Sequence, residues 1–115
     1  MSKNAYESFF VNFANKTKLN IILSLKEKPR SVNEIAKLID AEQSAVSHNL
    51  KKLNECKIVD VHKKGKERIY SLNKDTVLPM MNIVRMHIEK NCDKKCEKCG
   101  FNKLTNKLNN KLTKR

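Results

Sequence analysis

A mainly α fold with one small antiparallel β-hairpin, an α+β arrangement, is predicted for this chain of 115 residues by three features between Ser31 and Leu72. Ser31 is followed three residues later by Glu34, the spacing at which two side chains cap a helix start reciprocally, and Ile35, Leu38 and Ile39 then give a short helix its apolar stripe. After a turn at Asp40 to Glu42, a second helix is expected over Gln43–Glu55. Val46, Leu50 and Leu53 share one of its faces, and Gln43, Ser44, Ser47, His48 and Lys51 project from the other. Ile58 to Val61 and Arg68 to Leu72 are β-branched and aromatic runs bracketing Lys63, Lys64, Gly65 and Lys66, which reads as a hairpin with a basic tip. The order helix, turn, helix, hairpin is that of a winged helix-turn-helix.

The flanks are helical by the same periodicity. Upstream, Tyr6, Phe9, Phe10 and Phe13 recur at helical spacing, and a face that heavy must be buried somewhere. Downstream, Asn73 is positioned to cap a helix in which Val77, Met81, Val84 and Ile88 form a stripe widened by Leu78, Met80, Ile83 and Met86. That helix is apolar on too many sides for a lone small domain. Residues 1–90 are therefore expected to form one winged helix-turn-helix domain, with 91–115 as a cysteine-containing basic tail. Within the tail, Phe101, Leu104, Leu108 and Leu112 repeat at helical spacing among lysines, a short amphipathic helix or a segment ordered on binding.

Charge bounds the function. The formal net charge of +13, concentrated in the hairpin and the tail, points to a polyanion as partner. No apolar run approaches the ~18–20 residues that span a bilayer, and no signal-peptide pattern opens the chain, so no membrane role and a cytoplasmic location are expected. Catalytic patterns are absent: Gly65 and Gly100, the two glycines, cannot build a phosphate-cradling loop, and no helical His/Glu pair has zincin spacing. The protein is expected not to be an enzyme.

The polar face of the second helix suits base readout. Gln pairs bidentately with adenine, Ser with either base type, and Lys with guanine or phosphate. Lys63, Lys64, Lys66 and Arg68 suit phosphates or the minor groove. Val46-Ser47-His48-Asn49-Leu50-Lys51-Lys52-Leu53, then Ile58-Val59, then Gly65-Lys66-Glu67-Arg68-Ile69-Tyr70-Ser71-Leu72, closely resemble the winged helix of the ArsR/SmtB family of bacterial and archaeal regulators. Asn15-Lys16-Thr17-Lys18-Leu19-Asn20-Ile21-Ile22 extends the resemblance upstream, so that it covers roughly Phe9 to Glu89. The resemblance implies that the first and last helices pair across a two-fold axis as dimerisation helices. A homodimer on an inverted-repeat operator in double-stranded DNA follows. Lys57 stands where the family usually has a glycine after the recognition helix, a position that favours a left-handed backbone.

Cys92, Cys96 and Cys99, with three and two residues between them, are candidate metal ligands. Thiolates suit zinc or another thiophilic metal or metalloid, and Lys94, Lys95 and Lys98 favour their deprotonation. His87 or Cys56 is the candidate fourth ligand. An iron–sulfur cluster is disfavoured, because the radical-SAM enzymes that use this spacing need a barrel too large for this chain. Redox thiols are the other reading of the trio, and a small buried side chain is the plain reading of Cys56. The resemblance implies a sensor whose metal or metalloid releases DNA. It departs from the family in that Asn33-Glu34-Ile35-Ala36-Lys37 carries no cysteine motif, and the zinc sensors' paired Asp/His sites are not reproduced around Asp75 and His87.

Together these expectations describe a sequence-specific, homodimeric transcriptional regulator, a repressor rather than an activator. The alternative is a nucleic-acid-associated structural protein with a structural zinc and no sensing role.

Overall fold

Five helices and three strands make up the described residues, 3–92, of a computed structural model. In order they are α1 (Lys3–Ala14), α2 (Lys16–Leu25), β1 (Arg30–Ser31), α3 (Val32–Ile39), α4 (Gln43–Glu55), β2 (Val59–Lys64), β3 (Glu67–Leu72) and α5 (Val77–Asn91). The chain divides into two compact units, Met1–Asn73 and Lys74–Arg115. The mainly α class with a small antiparallel sheet is as the sequence predicts.

The core of the first unit is aliphatic. Ile21, Ile22 and Leu25 of α2, Ile35 of α3, and Val46, Leu50 and Leu53 of α4 are all buried, and the three helices pack on one another. Burying each such side chain contributes about 1.5–3 kcal/mol. Val59, Tyr70 and Leu72 close the core from the sheet, and Ile58 does so from the turn just before β2.

Local chemistry sets the helix ends. The capping box at α3 is formed on both sides: the Ser31 N–H donates to Glu34 Oε1 at 3.1 Å, and the Glu34 N–H donates to Ser31 Oγ at 3.3 Å. Asp40 then ends α3 in the left-handed region at φ 56, with its own N–H on Ala36 O and the Ala41 N–H on the same oxygen at 3.0 Å. α4 ends in a Schellman arrangement, with Ile58 N–H on Leu53 O and Lys57 N–H on Asn54 O, each at 3.0 Å. Lys57 adopts φ 61 there, the left-handed conformation normally given to glycine.

Two elements differ from the sequence reading. β1 was not expected: two residues carry no periodicity, yet Arg30 and Ser31 pair antiparallel with Tyr70 and Ile69, giving the sheet order β1-β3-β2. Arg30 is buried at this edge, its Nε donating to Ser24 O at 2.8 Å. Asn73 does not cap α5. Its side-chain nitrogen donates to Lys57 O at 2.9 Å, fastening the end of β3 to the end of α4, and Thr76 takes the N-cap position. Pro79 is tolerated in α5 because it falls in the first turn, where a backbone N–H has no helical acceptor.

Candidate nucleic-acid interface

α4 divides its residues cleanly. Val46, Leu50 and Leu53 are fully buried, whereas Gln43, Ser44, Ser47, His48 and Lys51 are exposed, as are Lys52 and Glu55. The expected reading residues thus share the solvent face of one rigid helix whose opposite face is locked in the core. Lys52 belongs with them, and its signal was its i+4 spacing from His48. Asn49 is occupied differently, its side chain donating back to Ala45 O at 2.8 Å.

The hairpin is longer than its sequence runs suggested. β2 continues through Lys63 and Lys64, and β3 begins at Glu67, so the turn consists of Gly65 and Lys66 alone. Gly65 takes φ 65 while Lys66 stays out of the positive-φ region, the pattern of a type II′ turn, which asks for glycine at its first central position. Lys63 and Lys64 were expected at the tip and instead lie in the ladder, because a two-residue turn lets pairing run to its edge.

Register then separates the basic residues. Lys63 lies directly opposite Arg68, and Lys64 directly opposite Glu67. Because side chains alternate across a strand, these pairs point to opposite faces of the hairpin. One face therefore ends in two like charges, which repel and are relieved by an anion. The other ends in a complementary pair beside exposed His62. Among the described residues, no side-chain hydrogen bond or ion pair occupies Gln43, Ser44, Ser47, His48, Lys51, Lys63, Lys66 or Arg68.

The thiols are less assembled. Cys92, half-buried, leaves α5 in an extended conformation, its N–H on Ile88 O at 2.8 Å. His87 is exposed, with Asn91 Nδ2 3.4 Å from its Nδ1 and donating to its carbonyl at 3.0 Å. Cys56 is exposed at the end of α4 and not the buried side chain of the plain reading. Cys96, Cys99 and the basic tail lie outside the described residues. Among those described, no three His, Cys, Asp or Glu side chains gather as metal ligands would.

A polar-faced α4 behind a capped α3, followed by a basic two-stranded wing, defines the winged helix-turn-helix class. Residues 15–61 match the family described as "Bacterial regulatory protein, arsR family". The HTH-type transcriptional regulator NmtR of Mycobacterium tuberculosis is 33% identical over 76 residues, covering 66% of this chain and 63% of NmtR. The cadmium resistance transcriptional regulatory protein CadC of Listeria innocua is also 33% identical over 76 residues, covering 65% of this chain and 64% of CadC. The match thus spans a little under two thirds of these relatives. Among solved structures, the homodimeric winged helix-turn-helix DNA-binding domain of Mb0332 from Mycobacterium bovis superposes with a TM-score of 0.71 at 19% identity, covering 81% of this chain and 86% of that one. Over residues 15–61 this chain matches the arsR family, and its fold is that of the winged helix-turn-helix proteins.

Proposed function

We propose that this protein is a homodimeric transcriptional regulator that binds an inverted-repeat operator in double-stranded DNA, acting as a repressor. The observation that carries the reading is the exposed, unoccupied row Gln43, Ser44, Ser47, His48 and Lys51 on a helix fixed from behind by Val46, Leu50 and Leu53. α4 enters the major groove and reads base edges, while Lys63, Lys66 and Arg68 hold phosphates or the minor groove. Lys64 contributes less than Lys63, since Glu67 faces it. The transcriptional-regulator relatives support this reading. So do the exposed apolar faces of α1 and α5, which a second copy would cover, and the homodimeric state of the similarly folded Mb0332 domain.

Selection from a random-sequence duplex library, followed by titration on the selected site and on random DNA, tests it. Ser47→Ala or Gln43→Ala should lose about 1–3 kcal/mol of discrimination at one half-site position. Lys63→Ala should weaken binding to both DNAs alike and lower the salt slope by about one unit. Equal losses on both DNAs from the α4 substitutions would sink base readout.

A second reading concerns Cys92, Cys96 and Cys99, and the relation to a cadmium resistance regulator favours it. As thiolates they fit a thiophilic ion such as zinc or cadmium, with His87 or Cys56 as a fourth donor. The exit of Cys92 from α5 in an extended conformation suits a loop closing round an ion. Such an ion supplies a cross-link at the end of α5. It regulates if it binds the DNA-free and DNA-bound dimers with affinities that differ by about 1–3 kcal/mol. Anaerobic protein titrated onto operator with and without zinc or cadmium decides between the two roles. Metal bound with no change in DNA affinity would make the site structural.

A further inference from the structure

The corner between α1 and α2 is tied by two side chains. α1 ends at Ala14 and α2 begins at Lys16, so Asn15, at φ −78 and ψ 124, interrupts an otherwise continuous helical run. Helical backbone has ψ near about −42°, so one dihedral accounts for most of the bend. Asn15 Oδ1 accepts the Lys18 N–H at 3.0 Å, which caps α2 but does not reach into α1. A bond that does cross the corner is made by the Lys18 ammonium, which donates to Asn12 Oδ1 at 3.3 Å.

Asn12 is built for that contact. It is only 3% exposed, on a helix where Tyr6, Phe10 and Val11 are 56%, 55% and 58% exposed. Its Nδ2 donates to Ser8 O and Phe9 O, each at 3.1 Å. Turning the amide over would set its oxygen against two carbonyl oxygens and its donor against an ammonium, so the oxygen is committed to Lys18. On the far side of the corner, α2 is fixed to the reading helix, since Ile21, Ile22 and Leu25 pack in the core that holds Val46, Leu50 and Leu53.

We propose that Asn12 and Lys18 are positioning residues that set the spacing of the two half-sites this protein accepts. The inference rests on the dimeric DNA-binding reading above. If α1, like α5, meets the partner through its exposed face, its direction relative to α2 helps set where the second α4 stands. The lever is long enough: α1 has 12 residues, about 18 Å at ~1.5 Å each, so a ~10° swing moves its far end by about 3 Å. That is close to the ~3.4 Å rise of one base pair. Holding the corner therefore selects a spacing, and releasing it admits the neighbours.

The test uses the full chain and the duplex selected by the wild type, in versions with half-sites one or two base pairs closer or farther apart, plus a duplex with a single half-site. Sedimentation gives the oligomeric state. Lys18→Met keeps the aliphatic stem and removes the donor. It should remain dimeric, prefer the same half-site bases, and discriminate spacing about tenfold less than wild type, the worth of one hydrogen bond to a charged group. Lys18→Arg, which still offers an N–H, should keep most of the discrimination, and Asn12→Ala should repeat the loss from the other side of the bond. If Asn12→Ala, which opens a gap in a buried position, fails to fold, the half-buried Lys18→Met decides alone. A dimeric Lys18→Met with wild-type spacing discrimination overturns the corner proposal and leaves the dimeric reading standing. A wild type that is monomeric, or that selects no paired half-sites, removes that reading and the corner proposal with it.

Discussion

Helices α4 and α1 invert the usual relation between composition and burial. α4 is rich in polar and charged residues, and Val46, Leu50 and Leu53 are fully buried. α1 carries one of the two tyrosines and three of the four phenylalanines, yet Tyr6 and Phe10 stay more than half exposed. Phe9, Phe10 and Phe13 cluster, with ring centroids 5.2 to 6.5 Å apart, and Phe9 and Phe13 are half-buried. The difference lies in where each helix's apolar side chains find their cover. α4 is finished within its own unit and can offer a polar face outward, whereas α1 has more apolar surface than the described chain covers. α5 repeats the second condition, with Ile83 and Met86 exposed.

That contrast should appear in how stability depends on protein concentration. Leu50→Ala opens a cavity in a closed core and should cost about 2–5 kcal/mol at every concentration, enough to unfold much of a small domain. Phe10→Ala should cost far less in dilute protein, its loss growing as concentration rises into the range where the proposed dimer forms. Urea titrations at two widely separated concentrations measure both. A Phe10→Ala cost that is large and independent of concentration would mean that α1 is covered within the monomer.

Within the finished unit the next effect is at the start of α3. Ser31→Ala removes one half of the capping box and should cost about 1 kcal/mol. The Glu34 carboxyl titrates below its ordinary value of 4.5, chiefly because the Ser31 N–H donates to its ionised form, with the Ser31 hydroxyl, Lys28 and Arg30 adding to the effect and burial opposing it. A depressed folded value means that the contribution is fully present above the unfolded value and is lost as pH falls through the lower folded one. Glu34→Gln should therefore be less stable than wild type at neutral pH and converge on it as pH falls through the lowered titration of Glu34. Thermal melts of the two proteins from pH 7 to pH 3 measure this, and a constant difference would remove the carboxylate from the account.

Much of the winged helix-turn-helix unit was legible in the sequence because its signals are local. Ser31 and Glu34 declare a cap, Val46, Leu50 and Leu53 declare a face, and the bounds of α4 fall where the pattern puts them. What was not legible depends on pairing. β1 has two residues and exists because β3 offers an edge to Arg30 and Ser31. The separation of Lys63 from Lys64 is a property of register, since only the ladder shows that one faces Arg68 and the other Glu67. Asn73 is a plausible cap by type and position, but the carbonyl of Lys57 is sixteen residues away in sequence, beyond any local pattern. The Asn12–Lys18 contact escaped for the same reason: it joins two helices across a residue that only the fold shows to be a corner.

The smallest expected effect runs the other way, at an imperfection in the finished unit. Lys57 closes α4 at φ 61, where a side chain crowds the backbone and glycine does not. The hydrogen bonds of the motif are both in place, and the Leu53 and Ile58 side chains that accompany it are fully buried, so the conformation is imposed by packing and not chosen by Lys57. Lys57→Gly should relieve that strain while giving the unfolded chain more freedom, for a net gain of about 0.5–1 kcal/mol. The side chain is exposed and its loss opens no cavity, so nothing offsets the gain within the core. Urea denaturation of Lys57→Gly beside Lys57→Ala separates the causes. Alanine keeps the crowding Cβ and should not gain, and an equal gain in both would assign the effect to the lost charge in a protein of net charge +13.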